Sequence, residues 1–157
     1  MNNDNRYIQE AINMAEANVR EKKCGPFGAL IVMNGEVIGR GVNQVLQTND
    51  PSAHAEITAI RNACKNTGSF KLENAVIYSS CEPCPMCLGA IYWARISRIV
   101  FASSNTDAAD AGFDDSFIYK QIPLPVNERS IPTIKLDIST HLRPFKAWTE
   151  LGDKTLY

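Results

Sequence analysis

Four residues of this 157-residue chain could do chemistry together: His54 and Glu56 in the run Pro51-Ser52-Ala53-His54-Ala55-Glu56, and Cys84 and Cys87 in the run Pro83-Cys84-Pro85-Met86-Cys87. One imidazole and two thiolates fill three places around a tetrahedral zinc ion. The fourth place is left to water, the arrangement of a catalytic rather than a closed structural site. Zinc in such a site brings the pKa of water down to roughly 7, and a nearby carboxylate such as Glu56 can accept and return the proton. Cys84 and Cys87, three residues apart, share one face of a first helical turn, where the helix dipole favours thiolate.

The spacing of His54 and Glu56 sets a constraint on the fold. Two residues apart on a regular helix, they point about 200° apart. They serve one site only if their helix meets it end-on, with the first turn facing the metal.

The elements that must position these groups can be read from periodicity and punctuation. Ile8, Ala11, Ile12, Ala15 and Val19 recur at helical spacing within residues 5–23, with Asp4 as a candidate N-cap and Gly25-Pro26 as the stop. Phe27 to Met33 is an apolar run, Asn34-Gly35 a two-residue hairpin turn, and Glu36 to Val45 the returning strand. A helix is expected over about 53–66 with Ser52 as cap. A buried strand follows at Ala75–Ser80, then a helix from Pro85 to about Trp93 and a strand at Arg98–Ser103. This order predicts an α/β chain with a mixed sheet covered by helices and parallel crossovers in its later part. Beyond Thr106, Gly112-Phe113-Asp114-Asp115-Ser116 leads into a short helix through Tyr119. Pro123, Pro125 and Pro132 make loop, Thr133–Ile138 reads as a strand, and Leu142–Leu151 as a closing helix.

The length fits one domain, residues 1–157, with about 104–157 as a C-terminal extension. No stretch reaches the roughly 18 apolar residues of a membrane span, and Met1–Arg6 lacks the apolar region of a signal peptide, so a cytoplasmic protein without membrane contact is expected. A net charge of −1 and no Lys/Arg run longer than Lys22-Lys23 argue against a nucleic-acid partner. The cysteines number five, so they cannot all pair within the chain. A structural zinc site would need a fourth ligand, for which Cys81 is the near candidate. A thioredoxin-like pair would need a different placement in the chain. Cys24 and Cys64 read as inert buried residues.

With these residues the chain resembles the cytidine-deaminase-like superfamily of zinc-dependent nucleobase deaminases. Gly25-Pro26-Phe27-Gly28-Ala29, Gly41-Val42-Asn43 and the two zinc motifs follow its purine and tRNA-editing branch. The segment from Thr106 to Tyr119, Leu142-Arg143-Pro144-Phe145-Lys146-Ala147-Trp148 and the terminal Tyr157 resemble the matching parts of bacterial guanine deaminases.

The resemblance implies a three-layer α/β/α fold with a mixed five-stranded sheet, and one Zn2+ per subunit held by His54, Cys84 and Cys87. It implies hydrolytic deamination of guanine to xanthine and ammonia, with zinc-activated water attacking the amino-bearing carbon and Glu56 shuttling the proton. Asn43 and the backbone N–H of Ala55 would bind the purine, Phe27 would pack on the ring, and Trp93 would line the pocket. Asp115 would bind the purine edge and assist proton transfer. It also implies a homodimer that swaps its C-terminal segment, with Tyr157 closing the partner's site. Each role has a plainer alternative: a turn cap for Asn43, core packing for Phe27, a helix cap for Asp114 and Asp115, and a fraying end for Tyr157.

Other activities share the zinc motifs. A tRNA adenosine deaminase would have to bind a structured RNA loop and a flipped base. Deaminases of cytosine, guanosine or aminated triazines use the same chemistry. A silent scaffold of the same fold would be expected to lack Glu56 or a ligand.

Overall fold

A computed structural model describes residues 3–157; Met1 and Asn2, the start of the polar segment discussed above, lie outside the described residues. Contacts divide the chain into two compact units, one ending at Asp115 and one spanning Ser116–Tyr157. The second unit begins at Ser116, later than the residue, about 104, from which the sequence sets off a C-terminal extension.

The first unit contains α1 (Asn3–Arg20), β1 (Gly28–Met33), β2 (Glu36–Val42), α2 (Val45–Thr48), α3 (Ala55–Thr67), β3 (Val76–Cys81), α4 (Pro85–Trp93), β4 (Arg98–Ser103) and α5 (Asn105–Asp110). The sheet order is β2-β1-β3-β4. Strand β1 runs antiparallel to β2 and to β3, and β3 runs parallel to β4. The hairpin turn places Asn34 and Gly35 at φ 53° and 82°, the left-handed pair that a twisted two-residue hairpin requires.

Alternation along the strands divides the core. Ala29, Ile31 and Ile77 face one side, where they bury Ala55, Ala59 and Ala63 of α3 and Ile91 of α4. Leu30, Val32 and Tyr78 face the other side and bury Tyr7 and Ala11 of α1. The result is the expected α/β/α layering. Asp4 is not a cap: it lies inside α1, where its carboxylate accepts from Tyr78 Oη (2.6 Å) and from the Arg98 guanidinium (3.0 and 2.8 Å).

Helix α3 lies very close to β2 because both surfaces are nearly bare. A Cβ on Gly41 would stand 2.2 Å from the Ala55 carbonyl oxygen and 2.4 Å from Ala59 N, so glycine is required there. The close approach fixes where α3 begins, and its beginning carries His54 and Glu56.

The sheet has four strands among the described residues, not five. The second unit contains α6 (Ser116–Gln121), a 3-10 turn (Val126–Glu128) and α7 (Arg143–Glu150). The segment Thr133–Ile138, expected as a strand, has no regular structure. It has the apolar alternation of a strand but no ladder partner within the unit, and Ile134 and Leu136 remain 80% and 68% exposed. Helix α5, which carries little apolar periodicity, went unpredicted; Ser104 and Asp107 form a capping box at its start.

Candidate active site

Two helices begin at the same point. The residue preceding α3 is His54 (φ −69°, ψ 162°), and the residue preceding α4 is Cys84 (φ −63°, ψ 167°). Cap residues of this backbone shape commonly turn a side chain back onto the first-turn N–H groups. His54 and Cys84 do not, and their side chains meet across the gap instead. Ser52, expected as the cap, is held two residues upstream of His54 by Asp50, through Oγ at 2.6 Å and N–H at 2.8 Å. Pro85 occupies the first turn of α4, where a missing N–H costs nothing.

His54 Nδ1 lies 3.5 Å from Cys84 Sγ and 3.5 Å from Cys87 Sγ. Zinc–sulfur and zinc–nitrogen bonds of about 2.3 and 2.0–2.1 Å at a tetrahedral angle separate their donor atoms by about 3.5 Å. The three donors therefore fit zinc, and all lie within 4.8 Å of one another. Among the described residues Cys81 does not join them; it ends β3, and its Sγ donates to Ser104 O at 3.5 Å. Burial pushes the Cys81 thiol up to about 11. Hydrogen bonds from Cys87 and His54 instead hold Cys84 down to about 4, and the bond to Cys84 together with burial raises Cys87. The bond to Cys84 also raises His54.

The end-on constraint is met. His54 precedes α3, Ala55 opens it, and Glu56 is its second residue, so both side chains emerge from the turn that faces the site. Glu56 is 5% exposed. Its Oε1 accepts from Ser79 Oγ at 3.2 Å, and its Oε2 lies 3.5 Å from Cys87 Sγ. Burial raises its pKa, which suits a carboxyl that must hold a proton for part of a cycle. As the first residue of α3, Ala55 has a backbone N–H with no partner in the helix.

These groups open on a cavity of about 110 Å³ lined also by Phe27, Asn43 and Asp115. Asn43, just past β2, is 6% exposed. Phe27 meets Phe113 edge-on with ring centroids 5.0 Å apart. Burial, with the charge on Cys84 second, raises Asp115. The structure thus brings His54, Glu56, Cys84, Asn43, Phe27 and Asp115 to one cavity, and the buried Cys87 Sγ lies 3.5 Å from His54 Nδ1 and from Glu56 Oε2. Trp93 is not among the lining residues: it ends α4 at the pole opposite Cys84 and is 64% exposed, a length of helix away from the site. Tyr157 belongs to the second unit, where it meets Trp148 at 6.4 Å.

Sequence reasoning missed several contributors. Ser79 carried a signal, a hydroxyl at an inward position of a buried strand. Phe113 and Asn105 also line the cavity; Phe113 stands on irregular chain and Asn105 opens the short α5, and no apolar periodicity marks either. Cys24 and Cys64 are half-buried rather than buried, and Cys24 bonds to Asn43.

A family model for the cytidine and deoxycytidylate deaminase zinc-binding region matches residues 1–103. The guanine deaminase of Bacillus subtilis (strain 168) is 50% identical over 155 residues, covering 99% of each chain. An X-ray structure of guanine deaminase from Bacillus subtilis superposes with a TM-score of 0.96 at 50% identity, covering 98% of each chain. A tRNA-specific adenosine deaminase of Bacillus subtilis (strain 168) is 39% identical over 112 residues, covering 71% of this chain and 69% of that one.

Proposed function

Since the chain belongs to the guanine deaminases of the cytidine and deoxycytidylate deaminase zinc-binding family, we infer that it converts guanine and water to xanthine and ammonia. The observation that carries this reading is a buried carboxylate, Glu56, 3.5 Å from a zinc-ligand sulfur in a cavity that also holds Asn43 and Asp115. The likeness to guanine deaminase runs through the C-terminal unit, whereas the tRNA-specific relative matches about two thirds of the chain.

His54, Cys84 and Cys87 would hold the zinc. Bound there, zinc supplies the Lewis acidity that makes water a nucleophile near neutral pH. The chain's own residues do the rest. Ser79 holds Glu56 Oε1, which leaves Oε2, on the Cys87 side, to carry the proton. Glu56 removes a proton from the attacking water and gives it to the ring nitrogen beside the amino-bearing carbon. Once the new C–O bond is made, Glu56 takes the remaining proton of the added hydroxyl and delivers it to the amine, which leaves as ammonia when the C–N bond breaks. Asp115 accepts from N–H groups on the purine edge and assists this transfer. Asn43 and the N–H of Ala55 donate to purine acceptors, and Phe27, backed by Phe113, walls the ring.

The enzyme acts as a homodimer in which residues 116–157 serve the partner and Tyr157 closes the partner's site. Supporting this, the second unit leaves Ile131, Ile134, Leu136 and Phe145 between 68% and 80% exposed, more apolar surface than a free monomer readily tolerates. Cytoplasmic work on a free base fits a chain in which no described helix is long and apolar enough to cross a membrane.

The test is ultraviolet-monitored turnover by zinc-loaded protein of guanine, adenine, cytosine and guanosine, beside an anticodon stem-loop RNA. Turnover confined to guanine is expected. Silence on guanine with deamination of the RNA would overturn the reading.

A further inference from the structure

Asn43 is the buried polar side chain on which recognition of a purine edge rests, and a carboxamide can face a ligand in two ways. Turned one way it offers two N–H donors, and turned the other it offers an acceptor. Which end it presents is decided by what holds the other end.

Here the oxygen end is held twice. Asn43 Oδ1 accepts from Cys24 Sγ at 2.7 Å and from the backbone N–H of Val45 at 3.3 Å. A flipped carboxamide would set its NH2 against both donors. The direction of the thiol is settled as well, because Cys24 Sγ accepts from the N–H of Leu46 at 3.5 Å and so has its own hydrogen free for Asn43. The backbone around the pair is fixed by Asn18 of α1, a residue 3% exposed. Its Nδ2 donates to Gly25 O at 2.9 Å and to Asn43 O at 3.0 Å, tying the loop that carries Cys24 to the loop that carries Asn43.

We propose that Cys24 is a positioning residue for the reaction: its thiol locks the Asn43 carboxamide with its NH2 toward the cavity, so that the site selects bases presenting a carbonyl or ring-nitrogen acceptor there. The inference rests on the functional reading above. Cys24 itself does not touch the substrate. Its loss leaves Oδ1, among the described residues, with the N–H of Val45 at 3.3 Å, and the carboxamide can then turn.

The test combines kinetics with a readout that needs no substrate. Cys24→Ala is expected to raise KM for guanine about fivefold, the worth of one neutral hydrogen bond, with kcat little changed. Cys24→Ser, which keeps a donor, should recover most of the loss. Cys24→Ala added to Asn43→Ala should change nothing further. In 15N-labelled protein the Asn43 side-chain NH2 resonances should shift or broaden in Cys24→Ala and return in Cys24→Ser. An Asn43 NH2 signal identical in wild type and Cys24→Ala, or the same kinetic penalty with and without Asn43, overturns the proposal. The wild-type rate on guanine judges the functional reading separately, and the amide signal judges Cys24 even if that rate is nil.

Discussion

Ser79 Oγ stands 3.2 Å from Glu56 Oε1, joining the middle of the sheet to the first turn of α3. Both residues are nearly inaccessible, at 2% and 5% exposure. A hydrogen bond in such a place fixes one oxygen of the carboxylate and leaves the other toward the zinc ligands. Ser79→Ala should cost about 1 kcal/mol of positioning, or about fivefold in kcat, without loss of bound zinc. Steady-state kinetics beside metal analysis checks it; an unchanged kcat would deny Ser79 this part.

Metal binding should depend on the two sulfurs and the imidazole together. Wild-type protein is expected to carry about one zinc ion per chain, as a three-ligand open site does. Cys87→Ser should lose most of that zinc and the activity with it. The fold should persist, because α3 and α4 are seated on the sheet by Ala55, Ala59, Ala63 and Ile91. Elemental analysis and far-ultraviolet circular dichroism of the same sample test both halves of the claim.

Much of this site was legible before the fold. The motif runs named the ligands, and the two-residue offset of His54 and Glu56 required a helix met end-on, which α3 is. The hairpin at Asn34-Gly35 and the bounds of α4 and β4 also followed from local chemistry. Long-range relations were not legible. Asp4 looks like an N-cap to a local reading, yet Tyr78 and Arg98, distant in sequence, claim its carboxylate. Thr133–Ile138 has the alternation of a strand, but a strand also needs a neighbour, and alternation says nothing of one. Trp93 ends the helix that starts just after Cys84 and carries Cys87, so it lies at the far end from the ligands.

Gly41 should tolerate no side chain. Because a Cβ there would stand 2.2 Å from the Ala55 carbonyl oxygen, Gly41→Ala must push α3 off β2. We expect destabilisation of about 3 kcal/mol and a fall in activity beyond that explained by unfolding, since the displaced helix carries His54 and Glu56. Denaturant titration gives the first number, and kcat at a temperature where the variant is folded gives the second.

Acid should expose the role of Asp4. The guanidinium of Arg98 and the hydroxyl of Tyr78 hold its carboxyl down to about 2 from an ordinary 3.8. A depressed folded-state pKa stabilises the fold above the unfolded value and ceases to do so as pH falls from about 4 toward about 2. Asp4→Asn should therefore melt below wild type at pH 6, and the gap between the two should narrow through that acid window. A gap independent of pH would mean that Asp4 stabilises by something other than its charge.

The most direct test of the mechanism is the rate of guanine deamination by Glu56→Gln with its zinc content measured in the same sample. The substitution keeps size and hydrogen bonding but cannot hold and return a proton. The account expects a normal zinc content and a loss of about three orders of magnitude in kcat. A zinc-loaded Glu56→Gln that turns guanine over at near wild-type rate would contradict it.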